Sequence, residues 1–251
     1  KRAVCVINLF SHETAMLNTH LIPLYHRILN KLQFLDGLPS LLIRLILAPV
    51  MIIAGFNKLA LSGDVTHFYQ YFLASDDIVA WFGNSEWGLG LPMPSLLAFL
   101  AAWTEFLGGI FILLGLFTRL AAIPLMITML VAATTVHASN GWFAVTPTDA
   151  STSPARVLNW LAIPGSEASL VNSNEASERL TKMRELLETH GYTEYLYAKG
   201  KPVILNNGIE FSAIYFVMLL SLFFAGGGRY VSLDYWLTRK ASNSFIANKD
   251  K

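Results

Sequence analysis

The sequence predicts an all-α membrane protein, in which a four-helix bundle carries an N-terminal interfacial amphipathic helix and a small extracytoplasmic α(+β) cap. Composition is the first observation: 54% of the 251 residues are hydrophobic and 14% are charged, whereas soluble domains carry about 25% charged residues. The second is a mean hydropathy of +0.47, and the third is that apolar residues stand in long blocks. An ordinary soluble enzyme is excluded. A net charge of +1 also provides no field for nucleic acid.

Four segments reach the length of about 20 apolar residues that a membrane-spanning helix needs. In chain order they are Pro39–Leu61, Pro94–Phe117, Leu120–Ala138 and Gly208–Gly228. The predicted organisation is therefore an N-terminal segment (1–38), three spanning helices (39–138), a loop or cap (139–207), a fourth helix (208–228) and a tail (229–251). The short turn at Thr118-Arg119 forces the second and third helices into an antiparallel hairpin.

The connecting segments have patterns of their own. Apolar residues of His20–Leu35 follow helical spacing, which predicts an amphipathic helix that anchors the chain at the inner leaflet. Ser62–Met93 contains seven aromatic residues and is expected across the outer mouth of the bundle. In the cap, Asn174–His190 is predicted as a helix, and Tyr192–Ala198 with Pro202–Leu205 as a small hairpin. The apolar stretch at 3–10 is too short for a signal peptide and is expected to belong to the mature chain.

Charge distribution predicts the orientation. The N-terminal segment, the Arg119 turn and the tail hold 10 Lys or Arg and 4 Asp or Glu, whereas the two long loops hold 6 and 11. By the positive-inside rule, both termini are cytoplasmic and both loops face outward. We therefore expect a bacterial inner-membrane protein in contact with the lipid bilayer. Arg119, Arg229 and Asp234 are predicted to fix structure and topology.

Charges within the spans are the candidate functional residues, because each needs a partner, a cavity or an escape to the interface. Arg44 and Lys58 lie near opposite ends of the first span, where they could reach headgroups or bind a ligand. Glu105 lies 11 residues into its span and shares a face with small residues, so it should point into the bundle and be paired or protonated. With His137 and Glu210, these residues could form an outward-opening polar pocket.

The chemistry open to such a pocket is proton transfer or the binding of a polar headgroup such as a quinone ring. Glu105 and His137 are the predicted catalytic residues; Lys58, Glu210 and Arg44 are the predicted ligand-binding residues. An ion-pair network that only fixes helix register is the alternative. Met126, Met129 and His137 could hold Cu(I), but methionines are more often packing residues, so no metal site is predicted. The single residue Cys5 excludes an intramolecular disulfide and a cysteine-ligated cluster.

These motifs resemble the DoxX family of small four-helix membrane proteins. The similarity runs from Arg44 through AGFNKL at 54–59, EFLGG at 105–109 and GLFTRLAA at 115–122 to Glu210 and GGGRYVSLD at 226–234. It covers roughly 40–137 and 208–235. Ala48-Pro49 stands where the family usually has a glycine, and the long 139–207 segment is similar to a subgroup that accompanies copper-binding modified peptides.

The resemblance implies two different functions. One is a membrane subunit of a redox or maturation system that binds a quinone, or a ligand derived from a partner, with no covalently bound cofactor. The other is a non-catalytic scaffold, chaperone or cargo-binding protein that acts through its extracytoplasmic loop. Both imply a protein partner in the membrane or outside it, and both leave catalysis and homo-oligomerisation open.

Overall fold

The protein is helical throughout the residues that the computed structural model describes, which are 22–62, 67–149, 151–163 and 165–249. In these ranges there is no β-strand, only two isolated bridges. The helices are α1 (Ile22–Leu32), α2 (Leu38–Phe56), α3 (Asp76–Gly83), α4 (Pro94–Leu114), α5 (Thr118–Val131), α6 (Ala155–Trp160), α7 (Ser166–His190), α8 (Thr193–Leu196), α9 (Glu210–Ala225) and α10 (Leu233–Lys249). The all-α prediction is confirmed.

The bundle consists of α2, α4, α5 and α9. Helix α2 packs on α4, α4 on α5, and α9 on both α5 and α2. Their shared core is aliphatic, and its most deeply buried members include Leu47, Met51, Ile112, Leu125, Leu219 and Leu222. Other apolar side chains on these helices are exposed, such as Ile46, Ile127 and Val217. A bundle that is apolar on its outside as well as inside is suited to lipid, not to water.

The α2–α4 contact is close because both helices present small residues. A Cβ atom on Gly55 would collide with the backbone nitrogen of Phe106 and lie 2.7 Å from the carbonyl oxygen of Ala102. On the opposite helix, a Cβ atom on Gly109 would lie 2.9 Å from the backbone nitrogen of Ile52. Glycines let helix backbones approach in this way inside membranes. The crossing holds the end of α2 against the middle of α4.

Three of the helical stretches are long and apolar enough to cross a membrane: Gln33–Phe56, Pro94–Leu114 and Thr118–Asn140. The third includes α5, a π-helical turn (Ala132–His137) and a short 3-10 turn (Ala138–Asn140). Helix α9 is apolar but has 16 residues, which is a length of about 24 Å. The predicted fourth span is thus a helix, although a shorter one than Gly208–Gly228.

The cap differs from the sequence prediction. No hairpin forms at Tyr192–Ala198 and Pro202–Leu205; instead Thr193–Leu196 is a helical turn, in which the amide of Leu196 bonds to the carbonyl of Tyr192. Leu205 makes its bridge with Val145, at the other end of the cap. The predicted β part of the cap is therefore wrong, because that segment has a closer partner in the chain that leaves α5. The long helix α7 begins at Ser166, eight residues earlier than predicted.

The predicted amphipathic helix is α1, which is followed by a 3-10 turn at Gln33–Leu35. Residues 20 and 21 of the prediction lie outside the described residues. Leu24, Tyr25 and Leu32 are exposed on α1, so the described part of the chain leaves these apolar side chains uncovered. The aromatic loop after α2 contains a 3-10 helix (Phe68–Phe72) and α3, and α3 packs on the first turns of α4.

Candidate functional site

Lys58 and Glu105 form an ion pair inside the bundle. The Nζ atom of Lys58 donates to Oε2 of Glu105 and, at 3.3 Å, to the carbonyl oxygen of Ala54. The Glu105 side chain is 5% exposed and the Lys58 side chain 21%. The prediction that Glu105 points into the bundle is confirmed, and its partner is the lysine of the neighbouring helix.

The length of α2 explains this pairing. Helix α2 ends at Phe56, beside the middle of α4, and Lys58 lies in the turn that follows. The chain then folds back, so that the amide of Ser75 bonds to the carbonyl of Lys58 at 2.9 Å. Lys58 thus turns inward, and the expectation that it reaches out to headgroups is wrong. The carboxylate of Glu105 on the adjacent helix compensates the lysine's charge inside the bundle.

Aromatic residues close in the chain to the paired residues contact one another. The ring of Phe106, next to Glu105, lies 6.2 Å from Phe56 and 6.0 Å from Trp103. Trp103 stacks on Phe72 of the aromatic loop, and its indole nitrogen donates to the carbonyl oxygen of Phe72 at 2.8 Å. The loop is therefore attached to α4 at Trp103, two residues before Glu105, by a ring stack and a hydrogen bond.

His137 and Glu210 have partners of a different kind, and the structure does not join them to the ion pair. Nδ1 of His137 lies 2.8 Å from the carbonyl oxygen of Asn207. Glu210 accepts a hydrogen bond from the amide of Ala144 at 2.9 Å, while its own amide donates to Trp142. Both residues therefore hold together the exit of α5 and the entrance of α9. The predicted convergence of four ionisable residues is realised for two of them.

The contact between 141–146 and 204–210 is the feature that sequence reasoning missed here. Amides of the second segment bond in turn to carbonyls of Ala144, Phe143, Gly141 and Trp142. A Cβ atom on Gly208 would lie 2.5 Å from the carbonyl oxygen of Phe143, so only glycine fits. The available signal was the run Asn206-Asn207-Gly208, since Asn and Gly are typical of tight turns. We call these two segments the clasp.

Arg44 lies at the opposite end of the bundle and is 2% exposed. Its guanidinium donates four hydrogen bonds, to the carbonyl oxygens of Ile112 (2.7 Å), Leu113 (2.6 Å), Gly227 (2.7 Å) and Val231 (3.0 Å). Two of these carbonyls end α4, where helical partners run out. Arg44 therefore does not reach headgroups, and four of its five N–H donors bind protein carbonyls. A bound ligand would have to displace those bonds.

Asp234 acts on the other side of the same turn. Its carboxylate accepts hydrogen bonds from the amides of Phe117 (2.7 Å) and Thr118 (2.9 Å) at the start of α5, where a negative charge is favourable. Arg119 donates to the carbonyl of Phe224 near the end of α9 at 3.1 Å. These contacts show how the two residues tie helix ends together.

Arg229 pairs with Asp36 at 3.3 Å and lies over the ring of Tyr230. The hydrogen bond with Asp36 and the nearby negative charges raise the pKa of Arg229 above its ordinary value. It links the segment after α9 to the chain that precedes α2.

Together the apolar helices, their apolar outer surface and the charges between them define an integral membrane helical bundle. The DoxX family model matches residues 40–138, from the first turn of α2 to the end of the long α5 stretch. The protein is therefore an integral membrane protein that carries a DoxX domain, and the resemblance to that family is confirmed for this segment. The match does not extend to the cap or to α9. Comparison with curated proteins and with solved structures found no match.

Proposed function

We propose that this protein is the membrane subunit of a redox or maturation system, and that it binds a quinone headgroup beside Lys58 and Glu105. The observation that supports this proposal is a charged pair held within an apolar bundle, with the lysine still 21% exposed. Ionisable groups inside a membrane are expensive and are usually functional. The proposed orientation puts the pair toward the outer side of an inner membrane, with both termini cytoplasmic.

The donors and surfaces at the pair fit a quinone. An ammonium group has three N–H donors, and two hydrogen bonds of Lys58 are made to protein atoms, so a third can reach a ring carbonyl. The carboxyl of Glu105 can hold or release a proton. Phe56, Phe106 and Trp103 offer flat surfaces to a ring. A bound quinone would supply two-electron redox chemistry, with electrons drawn from the redox centre of a partner protein.

The roles of the two residues follow from their chemistry. Lys58 orients the ligand and stabilises negative charge that develops on a carbonyl oxygen. Glu105 stores a proton within reach of the lysine. His137 and Glu210 act apart from this site, in the clasp that holds the end of the α5 stretch to the start of α9.

The test is binding of a short-chain ubiquinone analogue to the purified protein in nanodiscs. Binding is measured as quenching of tryptophan fluorescence. We expect saturable quenching that Trp103→Phe reduces and that Glu105→Gln and Lys58→Met each weaken about tenfold or more. Lys182→Met and Glu185→Gln are the matched controls, because they remove the members of an exposed ion pair on α7. They should bind as the wild type does.

A double variant, Lys58→Met with Glu105→Met, separates binding from folding. Removing both charges leaves no unpaired ion and should fold at least as well as either single variant, yet it should not bind the analogue. Wild-type binding by the folded double variant would overturn the proposal. Equal loss in the two control variants would do the same.

A second candidate function is a scaffold that docks a partner through the cap. It is favoured by the apolar side chains of and next to α6, where Trp160 is 82% exposed, Val157 60% and Leu161 54%. The two candidates are distinguished by replacing 147–203 with a Gly/Ser linker, which leaves the clasp in place. The scaffold hypothesis predicts that this variant loses the partner that co-purifies with the wild type. Its quenching by the quinone analogue should equal that of the wild type, whether or not the wild type shows any.

A further inference from the structure

A surface cavity lies at the end of the bundle that carries the Thr118-Arg119 turn, opposite the end with Lys58 and Glu105. Its volume is about 850 Å³. It is an open depression lined by the start of α5, the glycine run at 226–228 and one side of α10. Three chain segments that are distant in sequence therefore build it, and the cavity is separate from the proposed quinone site.

The charge of this cavity is positive. Arg119, Arg229 and Arg239 line it, and Asp234 is its single acidic lining residue among those described. The carboxylate of Asp234 is compensated, since it accepts two backbone amides and faces the charge of Arg44. Arg239 lies over the ring of Trp236, 5.7 Å from the ring centroid. Arg119 donates a hydrogen bond to the carbonyl oxygen of Phe224. Their remaining N–H groups are available to an anion.

A buried hydroxyl in the cavity wall also lacks a partner. Thr118 is fully buried, it lines the cavity, and its Oγ1 atom makes no hydrogen bond to any residue that the structure describes. A Cβ atom on Gly227 would lie 2.8 Å from that oxygen, so glycine at this position lets the backbone of the run pack directly against the hydroxyl. An unsatisfied buried hydroxyl costs about 1–3 kcal/mol, and a bound group with oxygen atoms would satisfy it.

The surroundings select an amphiphilic ligand over a soluble one. Leu120 on α5 is 67% exposed and Phe224 on α9 is 71% exposed, and both flank the cavity on the apolar outer surface of the bundle. A ligand that binds the arginines could thus lay hydrocarbon chains along α5 and α9. Basic pockets between membrane helices are typical sites for anionic lipid headgroups.

We propose that this cavity binds the phosphate headgroup of an anionic phospholipid, with Arg119, Arg239 and the Thr118 hydroxyl as its contacts. The glycine run lets the headgroup approach the backbone. The lipid would fill the space between the helical hairpin and α10. The inference is independent of the proposed quinone function.

The test is native mass spectrometry of the delipidated protein in a non-ionic detergent, titrated with phosphatidylglycerol, phosphatidylcholine or inorganic phosphate. We expect phosphatidylglycerol to bind at least tenfold more tightly than phosphatidylcholine, and millimolar phosphate not to displace it. Arg239→Gln and Arg119→Gln should each weaken it about fivefold. Thr118→Val, which keeps the shape and removes the hydroxyl, should weaken it as well.

Arg156→Gln and Arg179→Gln, on the cap, are the charge-matched controls. The same loss of affinity in these controls would mean that the lipid is attracted by the overall positive charge and not by this cavity. That result would overturn the proposal. Displacement by inorganic phosphate would show a soluble-anion site instead of a lipid site and would also overturn it. Arg239 makes only a ring contact in the described part of the chain, so its variant tests binding even if Arg119→Gln lowers the thermal stability.

Discussion

At the scale of single residues, the buried charges of the bundle are stabilised in two contrasting ways. Four of the five N–H donors of Arg44 bind backbone carbonyls, which fixes it in one geometry. Lys58 and Glu105 hold one another and keep hydrogen-bonding capacity in reserve. A charge that is 2% exposed and held by four carbonyls contributes to folding, whereas a pair whose lysine is 21% exposed can exchange a partner for a ligand. The proposed division between structural and functional charges rests on this difference.

The role of Arg44 yields a stability prediction. Arg44→Lys keeps the charge, but a lysine cannot serve four carbonyls that face a planar fork. We expect a fall of about 2–4 kcal/mol in the free energy of unfolding, because buried carbonyls lose their donors. The measurement is reversible unfolding by sodium dodecyl sulfate in mixed micelles. Arg179→Lys, on the exposed face of α7, should change stability by less than about 0.5 kcal/mol; a similar small change for Arg44→Lys would contradict a structural role.

Sequence reasoning located the residues better than their partners. Glu105 could be placed inside the bundle because glycines occur one turn away on the same helix face. The environment of Arg44 could not be foreseen, since backbone carbonyls are present at every position and leave no pattern in the sequence. For the same reason His137 and Glu210 looked like members of one pocket, although both bind backbone atoms of the clasp.

At the scale of helices, small residues determine how deep the charged pair lies. Gly55 and Gly109 let α2 and α4 cross closely, and the crossing puts the turn after α2 beside the middle of α4. Helix existence and order followed from apolar length alone. Helix ends did not, because the end of α2 depends on the aromatic loop folding back onto Lys58, which is a tertiary contact.

Two adjacent glycines of α4 allow a matched comparison. A Cβ atom on Gly109 would lie 2.9 Å from the backbone nitrogen of Ile52, whereas one on Gly108 would meet the side chain of Leu125, at 3.1 Å or more. Gly109→Ala should therefore cost about 1–3 kcal/mol, because α2 itself must shift. Gly108→Ala should cost less, since a side chain can rotate. Thermal unfolding in detergent measures both, and the prediction fails if the two variants have equal melting temperatures.

At the scale of the whole molecule, the arrangement of helices and the charge distribution indicate the same orientation in the membrane. Arginines gather at the end of the bundle with the helical hairpin turn, where Arg44, Arg119 and Arg229 bind helix ends and Asp36. The cap lies beyond the other end, and with the aromatic loop it holds 11 acidic and 6 basic residues. If four helices cross the bilayer, α1 and α10 lie on one side and α7 on the other. We infer that the arginine-rich end is cytoplasmic.

This orientation can be tested with single cysteines, because Cys5 is the chain's own single thiol. In a Cys5→Ser background, Lys182→Cys places a thiol on the exposed face of α7, while Asn30→Cys and Lys240→Cys place thiols on exposed positions of α1 and α10. We expect a membrane-impermeant maleimide to label position 182 in intact spheroplasts, and positions 30 and 240 only after lysis. Labelling of 30 and 240 on opposite sides would mean an odd number of crossings, so that the short helix α9 does not span the membrane. Labelling of positions 30 and 240 but not 182 in intact spheroplasts would show that the protein has the opposite orientation. The Lys58–Glu105 pair would then lie toward the cytoplasm.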